Sequence, residues 1–194
     1  MRRLWIAFTF VMVVSFLVLG WIGTRIYQEM PPIPAQVVVS DGTVLIGEGD
    51  ILAGQNVWQS MGGMEVGSIW GHGSYVAPDW TADWLHREAV FILDQWAMAD
   101  FNSEFEKLDN EQQAQLIARL TKLLHTNTYD SSSGIVTVDP LRAKAFESNL
   151  AHYTEVFSNG NADYAIPAGA VSDPDRLRKL SSFYFWTAWA ASTD

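Results

Sequence analysis

Four histidines, His72, His86, His125 and His152, are the side chains here best suited to metal binding or to proton transfer near neutral pH. No two of them stand at an HExxH or related spacing, so they read as surface or capped histidines and not as a ligand set. His86 lies three residues from Asp83 and two from Glu88, on a stretch rich in Trp. Ser60, Ser68 and Ser74 lie near glycines, but GxSxG is absent, the nearest pattern being Gly71-His72-Gly73-Ser74-Tyr75. A GxxxxGK phosphate loop is also absent, and the neighbours of the glycine-rich stretch are acidic or aromatic. Asp94, Asp100, Glu104 and Glu106 read as a solvated helix face. By its own residues the chain does not build a catalytic centre.

The sequence contains no cysteine. That removes disulfides, thiolate metal sites, iron–sulfur clusters and thioether-attached haem, while leaving the compartment open. The net charge is −10, with residues 1–30 at +2 and the remainder at −12. A domain so acidic, with no basic stripe, repels phosphate backbones, and nucleic acid is excluded as a partner. Hydrophobic residues make up 48% and aromatics 13%, nine of them Trp, which suits a packed core and argues against disorder.

The elements that must position these residues begin with an anchor. Leu4 to Gly23 runs without a charge for twenty residues, which at about 1.5 Å per residue spans the roughly 30 Å hydrocarbon core of a bilayer. Trp5 and Trp21 sit near its ends, and Arg2 and Arg3 bias the amino terminus to the cytoplasm. The run is longer than a signal-peptide core, and residues 1–30 are expected to remain as a transmembrane helix, with the domain on the periplasmic or extracellular side of a bacterial inner membrane. Pro31, Pro32 and Pro34 make residues 31–35 a stiff linker, and residues 36–194 form the domain.

Within it, residues 36–46 predict a hairpin around Asp41-Gly42, and residues 50–60 a helix with Ile51, Val57 and Trp58 inward. Residues 62–73 hold five glycines and read as a loop. Pro78-Asp79 opens a helix reaching about Phe105, and Asp109 with Gln112 forms a capping box ahead of Leu116, Leu120, Leu123 and Leu124. Residues 129–138 predict a second hairpin. Asp139-Pro140 and Asp173-Pro174 each open a helix, the first placing Phe146, Leu150, Tyr153 and Phe157 on one face. The last helix ends in Phe183–Trp189, apolar on every side, and is expected to need burial by a partner. The fold class is mainly α with small β hairpins.

The stretch GQNVWQSMGGMEVGSIWGHGSYVAPDWTADWLHRE, Gly54 to Glu88, resembles the amino-terminal extension of quinol-dependent nitric oxide reductases of the haem–copper oxidase superfamily. Phe183 to Thr193, FYFWTAWAAST, resembles the same family just ahead of its catalytic membrane unit, so the likeness runs over essentially the whole chain. It implies a cytochrome-c-like extracytoplasmic domain without haem. Where the cytochrome c chains of related enzymes carry Cys-x-x-Cys-His, counting back from Gly71–Pro78 places Gly63, Val66 and Gly67. The resemblance further implies that Gly73, through its carbonyl, and Tyr75, through its hydroxyl, ligate a calcium shared with the catalytic unit, a hard cation suited to such oxygens. Haem b, haem b3 and the non-haem iron are expected beyond Asp194, and none of the four histidines takes those roles.

The expected function is therefore the non-haem opening part of a denitrification enzyme that turns two NO into N2O and water with quinol electrons. The chain would dock on the catalytic membrane unit through Trp70, Trp80, Trp186 and Trp189, in contact with membrane lipid, and would be sticky without that unit. A competing reading is a membrane-anchored sensing or interaction module, soluble and monodisperse once its anchor is removed. A small anchored cytochrome is a third.

Overall fold

The computed structural model describes residues 2–71 and 77–194. The chain divides into two units, one ending at Pro32 and the other beginning at Ile33.

The first unit is helix α1 (Arg2–Glu29), 28 residues with no buried side chain. At about 1.5 Å per residue it is long enough to cross a membrane, and its composition allows it. It continues past the apolar run, where the Thr24 hydroxyl bonds back to the Gly20 carbonyl and Arg25 pairs with Glu29 one turn on.

The second unit opens with strands β1 (Gln36–Val39) and β2 (Val44–Ile46), paired antiparallel. The turn is the expected one: Asp41 accepts the Thr43 N–H at 2.8 Å and Gly42 takes φ 91°, open to glycine at no steric cost. Strands β3 (Tyr129–Asp130) and β4 (Ile135–Val138) form the second hairpin, its turn held by Asp130 accepting from the Ser132 amide and the Ser133 hydroxyl. The two hairpins join. β1 runs parallel to β4, with Val37 opposite Val136, giving one sheet in the order β2-β1-β4-β3.

Five helices follow the predicted order: α2 (Asp50–Ser60), α3 (Trp80–Phe101), α4 (Asn110–His125), α5 (Pro140–Asn159) and α6 (Pro174–Ser192). Four of them start on an aspartate whose carboxylate accepts an otherwise orphaned first-turn amide: Asp79 from Ala82, Asp109 from Gln112, Asp139 from Leu141 and Asp173 from Arg176. The Asp109–Gln112 capping box is reciprocal. α3 stops short of the expected Phe105. Asn102 adopts a left-handed conformation (φ 52°) that a short polar side chain tolerates, and Phe105–Lys107 is a separate 3-10 turn. The glycine-rich stretch is not purely loop, since Gly63–Val66 winds into a 3-10 turn.

α6 lies at the centre of the core. The expectation that Phe183–Trp189 lacks cover is overturned: Phe183, Tyr184, Phe185, Trp186, Ala188 and Trp189 are all buried by the domain itself. α2 covers one side, crossing so closely at Gly54 that a Cβ there would sit 1.9 Å from the Lys179 carbonyl oxygen. Trp80 stacks on Tyr184 at 5.4 Å and 13°, while Phe146 and Tyr129 pack on Phe185 and Trp189. A helix end apolar all round needs neighbours on all sides, and α2, α3, α5 and the sheet supply them. Burying about 150–250 Å² per ring is worth roughly 4–6 kcal/mol each in gross transfer free energy. A second, smaller core joins the far half of α3 to α4 through Ile92, Ala97, Leu116 and Leu120.

Candidate functional site

The two residues singled out as calcium ligands, Gly73 and Tyr75, lie outside the described residues, as does His72. Both margins of their loop are described. Ser68 and Asp79 form a parallel bridge, with the Ser68 amide donating to the Pro78 carbonyl and the Trp80 amide to the Ser68 carbonyl at 2.9 Å. Among the described residues the Asp79 carboxylate gathers three donors: the Ser68 hydroxyl at 2.6 Å, the Gly71 amide at 2.8 Å and the Ala82 amide at 3.0 Å. One aspartate thus caps α3 and clamps both ends of the loop. Trp70 fastens the loop to the end of α6, its indole N–H donating to the Thr187 carbonyl at 2.8 Å and its ring 5.3 Å from that of Trp186.

Trp70 remains 48% exposed, but Trp80, Trp186 and Trp189 are buried. The expected Trp-rich docking surface therefore reduces to Trp70. Sequence alone misplaces the other three rings because a tryptophan in an apolar stretch looks the same whether its cover comes from its own chain or from another.

The resemblance puts Gly63, Val66 and Gly67 at the positions of a haem attachment motif. Gly63 has φ 58° and faces the Trp58 ring. The Val66 carbonyl accepts the Trp80 indole N–H at 3.0 Å, and the Gly67 carbonyl accepts that of Trp58 at 3.2 Å. Gly67 has φ 123°, and a Cβ there would stand 2.2 Å from Trp80 Nε1. Trp80 is fully buried among Tyr153, Phe157, Tyr164 and Tyr184. Aromatic rings fill the space at Gly63 and Gly67, no cysteine exists to form a thioether, and Gly67 has no room for an imidazole. The residues present do not fit a covalently attached haem.

Three histidines are described. His86 is exposed, and His125 is exposed beside Asp194 at 3.1 Å. His152 is half-buried with its ring 5.2 Å from that of Tyr153; burial, then the charge of Arg87, holds its imidazole below the usual pKa. Among the described residues no three His, Asp or Glu side chains come together as a metal site.

Sequence reasoning missed a polar network on α3. Asp83 accepts from Arg87 Nε at 2.9 Å, the Tyr153 hydroxyl at 2.8 Å and the Tyr164 hydroxyl at 3.1 Å, and Arg87 Nη2 donates to Tyr164. Burial, then the neighbouring Asp83 charge, raises the Tyr153 hydroxyl well above its usual pKa, so it stays a donor. The i, i+4 spacing of Asp83 and Arg87 was visible, but the tyrosines arrive from α5 and from the segment after it, some 70 to 81 residues away.

A family model for the cytochrome c-like domain of NorB, a nitric oxide reductase chain, matches residues 34–194. No curated protein matches the chain.

Proposed function

The chain belongs to the NorB family of nitric oxide reductases, over its cytochrome c-like domain, and on that premise we propose that it is the haem-free opening segment of a quinol-dependent nitric oxide reductase. The family implies association with a catalytic nitric oxide reductase unit, and the apolar helix α1 suggests membrane anchoring. In the proposed assembly a quinol gives up two electrons and two protons. With those electrons and protons two NO would become N2O and one water; haem b, haem b3 and non-haem iron, held by the catalytic unit and by no residue of this chain, would supply that redox chemistry.

The contact between Trp80 and Gly67 carries this reading. A cytochrome-c-like domain whose attachment segment is packed against an indole, in a chain without cysteine, has no place for the haem that would accept electrons from a soluble cytochrome. Electrons would then enter through the membrane. The domain's own task is structural. It covers the outer face of the catalytic unit, excludes water there, and presents Gly73 and Tyr75 as oxygen ligands to a shared calcium. The clamp around Asp79 and the tether of Trp70 to Thr187 hold the margins of that loop in place. The domain would lie on the periplasmic or extracellular side.

The test is NO consumption by the purified membrane assembly containing this chain, driven in parallel by a reduced quinol and by reduced cytochrome c. Turnover with quinol and none with cytochrome c is the expected result. Turnover driven by cytochrome c alone would refute the proposal.

A further inference from the structure

A cavity of about 530 Å³ opens between the last turns of α4, Trp96 of α3 and the junction of β4 with α5. It lies apart from the glycine-rich loop, and the proposed reductase role makes no use of it. In a domain that carries −12, three cations, Arg119, Lys122 and Arg142, converge on its lining.

Arg142 is the most informative of them. It is 4% exposed and anchored by Glu88, itself 1% exposed, through Nε at 2.6 Å and Nη2 at 3.5 Å. Glu88 does not line the cavity. Arg142 Nη1, on the other side of the planar fork, has no hydrogen-bond partner among the described residues, yet it is not sealed from solvent. The ion pair therefore fixes the guanidinium with spare donors at the cavity wall, the arrangement in which arginine binds planar oxyanions. Arg119 is held 4.1 Å above the Trp96 ring, and its exposed contact with Asp100 at 3.3 Å neutralises it only weakly. Lys122 has no ion-pair partner among the described residues. The acidic lining residue, Asp139, has one carboxylate oxygen committed to the Leu141 amide at 2.7 Å as the α5 cap, and its single charge leaves the positive excess in place. Thr137, Leu123 and Trp96, whose ring carries Arg119 on one face, complete this part of the lining.

We propose that this cavity binds a small oxyanion, a carboxylate or a phosphate, through Arg142 Nη1, Lys122 and Arg119. An aromatic or aliphatic body on the ligand would rest against Trp96. The cavity is a binding site and performs no chemistry.

Calorimetric titration of the full chain in detergent tests this, with inorganic phosphate in one arm and benzoate in the other, at ionic strength held constant with chloride. Saturable binding of at least one anion is expected. The Arg119→Gln, Lys122→Gln double variant, which leaves the Arg142–Glu88 pair intact, should weaken it tenfold or more. Preference for phosphate identifies a phosphate-bearing ligand, and preference for benzoate an organic acid; either supports the site. Absence of saturable binding by both anions, or equal binding by the double variant, would overturn it.

Discussion

Glu88 and Arg142, 54 residues apart in the chain, meet in a 2.6 Å charge-assisted hydrogen bond with side chains only 1% and 4% exposed. The pair joins α3 to α5 beneath the ring of Phe185, and the Trp84 indole adds a third bond to the carboxylate at 3.2 Å. Two charges with so little exposed surface remain favourable only while each has the other.

Removing one partner should therefore be far worse than removing both. Arg142→Met leaves Glu88 buried and unpaired and should cost about 3–5 kcal/mol. Glu88→Leu combined with Arg142→Met should recover most of that loss. Urea unfolding midpoints of the three chains measure it, and a double variant no better than the single would show that the pair is not the source.

Two glycines stand where a side chain has no room. Gly54→Ala drives a methyl into the Lys179 carbonyl, whose oxygen would lie 1.9 Å away, and should destabilise the α2–α6 crossing by about 1–3 kcal/mol. Gly67→Ala meets Trp80 Nε1 at 2.2 Å with φ 123° and should do the same while disturbing the Trp80–Tyr184 stack. Thermal unfolding with near-ultraviolet circular dichroism reads both effects. A Gly67→Ala chain with an unaltered aromatic spectrum would show that the Trp80 contact is not tight.

His152 should give the domain a measurable pH dependence. Its folded-state pKa lies below the ordinary 6.5 because burial, then Arg87, disfavours the imidazolium, with Asp83 opposing. Between that lowered value and 6.5 the unfolded chain binds more protons, so stability rises with pH through this window and levels off above it. His152→Gln should flatten the rise. Urea midpoints collected from about pH 5 to about pH 8 would decide, and a slope that survives the substitution assigns it to another group.

Tyr75 carries the calcium proposal. In the intact reductase assembly, Tyr75→Phe removes one hard oxygen and should lower bound calcium and shift the haem absorption spectrum. Metal analysis of the purified assembly is the deciding measurement; unchanged calcium content would end the assignment of a ligand role to this hydroxyl.

Much of the local architecture was legible in the sequence because its signals are local. Asp79, Asp109, Asp139 and Asp173 each precede a helix whose first-turn amides they satisfy, and Asp41-Gly42 sets its own turn. The union of the two hairpins was not legible. β1 and β4 are short, their pairing spans most of the domain, and an alternating pattern carries no address for its partner. The cover over Phe183–Trp189 was hidden for the same reason: the Gly54 crossing and the sheet come from distant parts of the chain. At the site, the lack of cysteine was readable from composition, whereas the packing of Trp58 and Trp80 against Gly63 and Gly67 is set by tertiary contacts that no local pattern encodes.

The parallel pairing of Val37 with Val136 also sets a clock on biogenesis. A ribosome adding about 5–20 residues per second needs roughly 5–20 s to make the hundred or so residues between them. During that interval the first hairpin stands with one edge of amides and carbonyls unfilled, an edge able to pair with any neighbouring nascent chain. Crowded expression should therefore yield intermolecular strand exchange before it yields misfolded helices, and slowing initiation should raise the yield of correctly closed sheet more than lowering the temperature of the finished protein.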